Sequence, residues 1–497
     1  MEDSDVIAYI YPFGSGHDRE RARDVIEAAP GSLPPPLTQP VSTEYDRHER
    51  ASTEPPADIF VAPLNYLPRL PICFSSIPRT QKGFLFGRNK NCDVVLGYQG
   101  VSNIHFSITF DEHNRLIIKD WNSLAATTVA YDTDYTEPRR NFQWIIGGHD
   151  VPDRKHIIVV TIPGIVAFQI VAVWHDVLNP AYHDKANRFK QGSANAETLL
   201  QDAQLSYALT RSGTGVHTPN KGAIYVRSSL GSNTYSSVNR LWNVSTGAET
   251  VEKVPSPGSI QRKSYDTGIW QKEAAIMGRL SHDKIVRLLA CSFDPTPRLE
   301  IEYMRGGSLD NYGDLTNQEV MSITSQCLSA LTHMHELEPP IIHRNIKPAK
   351  IFVVDRIGDR ITIKLGGFGL SKHGFFKTQG GTPTYLAPEI LRPPTSRGPS
   401  YTVAVDIWSL GVVAYELAIG LPEFDGHRSQ GTIWPAWLED QIMHAEGQLA
   451  SFLAKRMLVC DEEHRSSARA CWSHLDQIQH KNDPHYSADE AAAYFDE

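Results

Sequence analysis

The stretch His343–Lys350, which reads His-Arg-Asn-Ile-Lys-Pro-Ala-Lys, decides the fold of this chain. Downstream of it lie Gly366–Gly369 (Gly-Gly-Phe-Gly), Gly381–Glu389 (Gly-Thr-Pro-Thr-Tyr-Leu-Ala-Pro-Glu) and Asp406–Gly411 (Asp-Ile-Trp-Ser-Leu-Gly). Upstream, Leu230–Val238 reads Leu-Gly-Ser-Asn-Thr-Tyr-Ser-Ser-Val. Each stretch is only weakly specific alone. Their order along one segment carries the assignment.

In this order the five stretches resemble the glycine-rich loop, catalytic loop, Asp-Phe-Gly motif, activation-segment end and C-lobe helix of a protein kinase domain. The resemblance implies a two-lobed α+β fold over residues 222–480, with an N-lobe at 222–304 and a C-lobe at 305–480. It also implies that Arg465 pairs with Glu389, and that these two residues, with His343 and Asp406, hold the C-lobe together.

The resemblance further implies a nucleotide pocket. Lys253 matches the phosphate-binding lysine of the third strand, and Glu273 matches its partner on the first helix. Asn233 and Ser236 replace two of the three loop glycines, and their Cβ atoms make a poorer phosphate cradle. The other expected pocket residues come from the glycine-rich loop, the gatekeeper position, the hinge and the pocket floor: Gly231, Val238, Ile301, Glu302, Met304 and Phe352.

The three positions that carry the family's chemistry are changed. Asn345 stands at the catalytic Asp, Lys350 at the metal-binding Asn and Gly367 at the metal-binding Asp. An amide cannot accept the substrate proton as a carboxylate does, and losing a general base typically costs about 10²–10⁴-fold in rate. Neither Lys350 nor Gly367 offers the oxygen ligands that Mg²⁺ requires. We therefore expect an inactive domain, a pseudokinase, to which magnesium binds poorly.

Other interpretations stay open at this point. The domain could be an active or weakly active ATP-dependent Ser/Thr kinase, with Asp355 or Asp359 as substitute carboxylates, or it could serve only as a folded spacer. Val251 and Phe352 add bulk on both faces of the adenine site, which would weaken ATP binding by about 1–3 kcal/mol. Conversely, the Lys350 ammonium could replace the metal and bind a nucleotide without Mg²⁺. ATP is thus a possible cofactor, and no metal is expected.

A second resemblance covers residues 83–129. Gly87-Arg88, Asp93–Leu96, Val101–His105 and Asp120–Ser123, which precedes Thr127, match the pattern of a forkhead-associated (FHA) domain. That family is a β-sandwich that binds phosphothreonine.

A phosphate dianion needs fixed donors, and the FHA resemblance assigns Arg88, Ser102 and Asn103 to phosphopeptide binding through a guanidinium, a hydroxyl and an amide. His105 is expected to brace the loops. Ala125-Ala126 stand where the family has Asn-Gly before the threonine. Because that Asn contacts the peptide backbone in the family, we expect phosphothreonine binding that is weaker than usual.

Bulk properties narrow the class of protein. A chain of 497 residues is long enough for two or three domains, and its net charge of -9 gives no sign of general nucleic-acid or membrane binding. The six cysteines form no CxxC pair, which favours a reduced intracellular chain. A location in the nucleus or cytoplasm is implied only by the family resemblance. No charged-then-apolar leader is visible, so we do not expect secretion.

Pro163-Gly164 interrupts the apolar run Ile157–Trp174, which predicts two buried strands joined by a tight turn.

The predicted organisation is a disordered, Pro-rich region at residues 1–58, an FHA-like sandwich at 59–176, a linker at 177–221, the kinase-like domain at 222–480 and a tail at 481–497. Helical periodicity is expected in Thr316–His335, and a short helix is expected within the linker, near Ala196–Leu209. The predicted strands of the sandwich are Gly83–Phe86, Asp93–Leu96, His105–Phe110 and Arg115–Lys119.

An FHA domain ahead of a kinase domain resembles the architecture of checkpoint and meiotic Ser/Thr kinases. We therefore expect a signalling protein that binds phosphothreonine-containing proteins, and whose kinase-like domain contacts an active kinase or its substrates. Direct nucleic-acid binding and membrane association are not expected.

Overall fold

The computed structural model describes residues 5–37, 64–132, 134–147, 151, 157–193, 222–373, 382–391, 402–421 and 433–480. The chain forms two compact units. The first comprises Met1–Ser228 and Leu241–Glu249, and the second comprises Ser229–Arg240 and Thr250–Glu497.

Among the described residues, two β-sheets and two α-helices build the first unit. One sheet has the order β2-β1-β11-β10-β7-β8 and the other the order β4-β3-β5-β6-β9, and apolar side chains of both sheets share one core. This confirms the predicted β-rich FHA-type fold. The elements are β1 (Val6–Phe13), α1 (Gly16–Ala28), β2 (Leu70–Cys73), β3 (Phe84–Gly87), β4 (Val94–Val95), β5 (Phe106–Phe110), β6 (Leu116–Asp120), β7 (Thr128–Tyr131), β8 (Asp134–Tyr135), β9 (Gln143–Ile145), β10 (Ile158–Ile162), β11 (Val166–Ala172) and α2 (Pro180–Gln191).

The prediction of disorder for residues 1–58 is wrong for its first part. β1 lies between β2 and β11, with Ile10 opposite Leu70 on one side and Ile170 on the other. The helix α1 packs on β1 and β11 and buries Val25 and Ile26. The prolines of this region favoured a prediction of disorder. The strand β1 was not recognisable from the sequence, because its partners β2 and β11 are distant in sequence. Residues 38–58 lie outside the described residues.

The predicted linker at 177–221 also needs correction. Its first part forms α2, which begins at the cap residue Asn179 and buries Tyr182, Ala186 and Phe189 in the core of the first unit. The helix expected near Ala196–Leu209 lies outside the described residues.

The apolar run at 157–174 forms the predicted pair of strands. β10 and β11 pair in antiparallel register from Ile158 opposite Ile170 to Ile162 opposite Val166. The turn contains Gly164 at a φ of +70°, a conformation that glycine adopts without steric cost. No helix in the described ranges is both long and apolar enough to cross a membrane.

The segment Leu241–Glu249 completes the first unit. Trp242 is buried, and its ring packs edge-on against Tyr131 with a centroid distance of 5.2 Å. The Ile145 N–H donates a hydrogen bond of 2.8 Å to the Val244 carbonyl, so backbone pairing as well as ring packing holds this segment.

A five-stranded sheet has the order β12-β13-β14-β16-β15, and most of its residues belong to the second unit, which continues as a mainly helical region. This confirms the predicted α+β kinase-like fold. Its elements are β12 (Tyr225–Ser232), β13 (Ser236–Asn243), β14 (Glu249–Pro255), α3 (Pro257–Arg262), α4 (Thr267–Gly278), β15 (Leu288–Ser292), β16 (Arg298–Glu302), α5 (Asn317–His335), β17 (Ile341–Ile342), β18 (Ile351–Ile357), β19 (Arg360–Leu365), β20 (Lys372–His373), α6 (Pro388–Leu391), α7 (Ala404–Ile419), α8 (Ile433–His444), α9 (Gln448–Arg456) and α10 (Ala468–His480).

Two helices organise the helical region. The predicted helix α5 begins with a capping box, in which Thr316 and Glu319 exchange side-chain and backbone hydrogen bonds. The helix α7 is buried throughout Val405–Tyr415, as expected for a central helix that is apolar on all sides.

The pairing of Glu389 with Arg465 is present as the family resemblance implied. Both side chains are buried, and the Arg465 guanidinium donates to the two carboxylate oxygens at 2.7 and 3.1 Å. The guanidinium also lies over the Trp408 ring, 5.3 Å from its centroid. The pair therefore ties α6 to the loop before α10.

We predict that Gly87→Ala destabilises the first unit. A Cβ at Gly87 would lie 2.1 Å from the Asn103 carbonyl oxygen, so the backbone must shift, at a cost of about 1–3 kcal/mol. Gly97→Ala is the matched control, because a Cβ there meets no atom within 4 Å. Urea unfolding of both variants measures the difference. Equal stability of the two variants would contradict the close approach.

We predict that Arg465→Ala lowers the free energy of unfolding of the second unit by about 3–5 kcal/mol, because it leaves Glu389 buried without its partner. Arg469→Ala is the control. Arg469 pairs with Glu336 at 2.5 Å, but both side chains are nearly half exposed (44% and 46%), and such pairs contribute only about 0–1 kcal/mol. Thermal melts compare the two variants. A smaller loss for Arg465→Ala than for Arg469→Ala would refute the assignment.

Candidate functional site

The predicted phosphate-binding residues of the first unit lie together at the end of β3. The Arg88 N–H donates to the Ser102 carbonyl at 2.9 Å, and the Asn89 N–H donates to the Asn103 carbonyl at 3.1 Å. These backbone bonds place Arg88, Ser102 and Asn103 on two adjacent chain segments. The Arg88 side chain is exposed and has no ion-pair partner among the described residues. Its guanidinium is available to an anion.

His105 supports this site from the protein interior. It is fully buried, its Nδ1 accepts from the Ser102 N–H at 3.3 Å, and its Nε2 lies 3.2 Å from the Ala126 carbonyl. Burial lowers the pKa of His105. A neutral ring can accept at Nδ1 and donate at Nε2 at the same time, so it joins the loop of Ser102 to the loop of Ala126.

Asp120 organises the loop that follows β6. Its carboxylate accepts from the Ser123 hydroxyl at 2.5 Å, the Thr127 hydroxyl at 2.6 Å and the Asn141 N–H at 3.0 Å. Ala126 in this loop has a φ of +61°, the left-handed region that favours glycine. This is the position at which the FHA family has glycine, so the loop keeps the shape while the residue type has changed.

The Ser102 hydroxyl is held from the same loop. Its oxygen accepts from the Leu124 N–H at 2.8 Å, which leaves the hydroxyl proton available to a ligand. The Arg140 guanidinium donates to the Leu124 carbonyl. Arg140 was not among the sequence-predicted site residues, because it follows no FHA motif. Ser102 and Arg140 thus both hydrogen-bond to the backbone of Leu124.

A cavity of about 470 Å³ lies in the second unit, at the place predicted for the nucleotide. It is large enough for a small-molecule ligand. All eight predicted nucleotide-binding residues line it, as do Lys350 and Gly367, whereas Asn345 does not. Val251 and Phe352 are both in the lining, and their bulk does not close the cavity. The eight residues are Gly231, Val238, Lys253, Glu273, Ile301, Glu302, Met304 and Phe352.

The predicted pair of Lys253 and Glu273 is formed. The Lys253 ammonium donates to both carboxylate oxygens at 2.7 Å, and Glu273 is buried on α4. The phosphate-binding lysine is therefore positioned as the family resemblance implied.

Residues of the glycine-rich loop hydrogen-bond to one another. The Asn233 side-chain oxygen accepts from the N–H groups of Tyr235 and Ser236, both at 2.8 Å. The Ser256 and Ser259 hydroxyls donate to the Thr234 carbonyl at 2.8 and 3.0 Å. Two backbone donors at the tip of the loop are thus satisfied by Asn233, one of the two residues that replace glycine. The tip is also tied to the start of α3.

Lys350 and Gly367 are in direct contact. Gly367 has a φ of +87°, and a Cβ built on it would lie 2.5 Å from Lys350 Cδ and 3.2 Å from Lys350 Cε. The lysine stem therefore occupies the space that an aspartate side chain would need at position 367. The two changed metal positions are therefore sterically linked. The sequence motifs alone present them as two separate substitutions.

The catalytic loop keeps its frame around Asn345. The N–H groups of His343 and Arg344 donate to the Asp406 carboxylate at 2.8 Å each, and Lys347 donates to the Thr382 hydroxyl at 3.0 Å.

The candidate substitute carboxylates lie elsewhere. Asp355 is exposed on β18, Asp359 is exposed in the turn between β18 and β19, and neither lines the cavity. In the described part of the chain, no three His, Cys, Asp or Glu side chains are grouped so that they could hold a metal ion. With lysine at 350 and glycine at 367, the residues present do not fit magnesium.

Two protein families match the sequence. The protein kinase domain family matches residues 225–475, just over half of the chain. The FHA domain family matches residues 84–134. The two matched ranges cover the cavity of the second unit and the Arg88 site of the first.

Similar proteins are kinases. A probable myosin light chain kinase of Dictyostelium discoideum is 35% identical over 175 residues, which is 33% of this chain and 54% of that protein. The serine/threonine-protein kinase DCLK1 of Rattus norvegicus is 31% identical over 221 residues, or 43% of this chain and 48% of that protein. The serine/threonine-protein kinase RAD53 of Saccharomyces cerevisiae is 25% identical over 371 residues.

The RAD53 match covers 70% of this chain and 42% of that protein, so it extends beyond the kinase region alone. This chain spans about half of the length of these curated relatives, or slightly less. From the fold, the cavity and these matches together, the chain belongs to the protein kinase domain family and carries an FHA domain ahead of its kinase domain.

Proposed function

We propose that this protein is a phosphothreonine-binding signalling protein whose kinase domain does not transfer phosphate. The single observation that carries the proposal is the contact between Lys350 and Gly367, which fills the metal site with a lysine stem. Phosphoryl transfer depends on metal ions that neutralise the charge of the phosphates, and this site supplies no oxygen for them. Asn345 removes the catalytic carboxylate as well. The pocket and the frame of the catalytic loop remain, which suits a binding role.

The FHA domain supports the binding half of the proposal. Arg88, Ser102 and Asn103 are held together, with the Arg88 guanidinium exposed and the Ser102 hydroxyl oriented by the Leu124 N–H. A phosphothreonine can accept a charge-assisted hydrogen bond from Arg88 and a second bond from Ser102. Its partners would be phosphothreonine-containing proteins, and an active kinase or its substrates would contact the kinase domain. Location in the nucleus or cytoplasm stays a prediction.

An active Ser/Thr kinase is the second candidate function. The Lys253–Glu273 pair and the open cavity favour it, because active members of the family need both. The carboxylate at the catalytic position is missing from this candidate, because Asn345 stands there and neither Asp355 nor Asp359 lines the cavity. The two functions differ in one measurable step, the transfer of phosphate.

We predict that Arg88→Ala weakens binding of a phosphothreonine peptide library by about tenfold to a hundredfold, the range for losing a hydrogen bond from a charged group. Lys90→Ala is the matched control, because Lys90 is an exposed cation two residues away and should change affinity by no more than about twofold. Fluorescence polarisation with phosphorylated and unphosphorylated peptides measures both. Unchanged binding by Arg88→Ala would end the proposal for this site.

We predict that the full chain shows no phosphate transfer above the level of Lys253→Met in a radiolabel assay with generic Ser/Thr substrates and Mg²⁺ or Mn²⁺. The physical reason is the loss of the carboxylate at 345 and of metal ligands at 350 and 367. Transfer by the unaltered chain that disappears in Lys253→Met would establish the active-kinase alternative. Melting curves check that the variant is folded.

A further inference from the structure

The positive charge of Lys350 is the least explained feature of the cavity. The Lys253 ammonium is neutralised by Glu273, at 2.7 Å. In the described ranges, no carboxylate lies within ion-pair distance of the Lys350 ammonium, although it lines the same cavity. Burial, followed by the nearby charges of Lys347 and Lys253, lowers the pKa of Lys350, and the charges of Glu273 and Asp310 partly oppose this shift. An unpaired cation in a cavity is costly unless an anion joins it.

The stem of Lys350 packs against Gly367, where a Cβ would lie 2.5 Å from Lys350 Cδ. Its backbone N–H and carbonyl are both hydrogen-bonded, to Lys347 and Gly366. The ammonium-bearing side chain therefore lines the cavity, at the position where the family coordinates its metal. A positive charge at this point suits the phosphates of a nucleotide.

We propose that this cavity binds a nucleoside triphosphate without a divalent metal ion, with the Lys350 ammonium in the place of the metal. Lys253 and Lys350 are then the two cations that face the phosphates. The inference goes beyond the proposed function, because it concerns nucleotide binding in the kinase domain rather than phosphothreonine binding or phosphate transfer. It can hold or fail independently of phosphothreonine binding, whereas metal-dependent phosphate transfer would count against it.

The proposal has a consequence for magnesium. A chelated triphosphate carries less negative charge, and the chelated ion would meet an ammonium instead of an oxygen ligand. Magnesium should therefore leave nucleotide affinity unchanged or reduce it. This is the reverse of the behaviour expected where the metal is part of the site.

The test is isothermal titration of the full chain with ATP, once in EDTA and once in saturating Mg²⁺. We expect binding in EDTA that Mg²⁺ does not strengthen. Lys350→Met keeps an unbranched apolar stem over Gly367 but removes the charge, and it should weaken binding in EDTA by about tenfold or more. Lys350→Arg keeps the charge and should retain most of the affinity.

Lys272→Ala is the matched control for the loss of a lysine. Lys272 lies on α4 beside Glu273, but it is exposed and does not line the cavity, so affinity should stay within about twofold. Melting curves without ligand show whether each variant is folded. The proposal is overturned if ATP binds in neither condition, if binding requires Mg²⁺, or if folded Lys350→Met binds as tightly as the unaltered chain.

The contact between Lys350 and Gly367 gives a second test. G367D alone should lower the melting temperature, because the new Cβ collides with the lysine stem at a residue that also has positive φ. The double variant K350N/G367D should recover part of that loss and make ATP binding dependent on Mg²⁺. Non-additivity of this kind is expected for residues in contact. A G367D variant that melts like the unaltered chain would refute the steric link.

Discussion

The buried carboxylate of Asp406 holds the catalytic loop of the kinase domain. It accepts hydrogen bonds from the N–H groups of His343 and Arg344 and lies 2.9 Å from His335 Nε2. Burial by itself favours the neutral acid, but these partners keep the pKa of Asp406 below its ordinary value. Arg344 has a φ of +69°, and a strained residue of this kind persists only where its surroundings determine it. The hydrogen bond from the Arg344 N–H to Asp406 holds Arg344 in this conformation.

This anchor acts on the backbone, so it is indifferent to the side chains that follow. Asn345 can replace an aspartate without disturbing either hydrogen bond to Asp406. Nearer the cavity, the Gly366 N–H donates to the Lys350 carbonyl at 2.9 Å, which is again a backbone bond. The backbone atoms of this loop therefore hold the fold, whereas its side chains determine the chemistry. That separation explains how the domain can keep its shape while the residues for metal and proton handling change.

Motif order was enough to predict the two-domain fold and eight of the residues that line the cavity, and helical periodicity predicted the helix α5. Contacts that no motif encodes were not predictable in this way. The strand β1 pairs with β11, and nothing near Val6 indicates that partner. The contact between Gly367 and Lys350 depends on the path of the Lys350 side chain. Arg140 approaches the phosphate site only through the folding of the loop at Leu124.

The central position of β1 also bears on how the protein is made. Val6–Phe13 leaves the ribosome well before its neighbour Val166–Ala172. At about 5–20 residues per second, β1 must wait on the order of 10–30 s for that partner. During this time the edge of β1 that pairs with β11 stays open to other chains. Correct folding of the FHA domain should therefore depend on protection of this edge during synthesis.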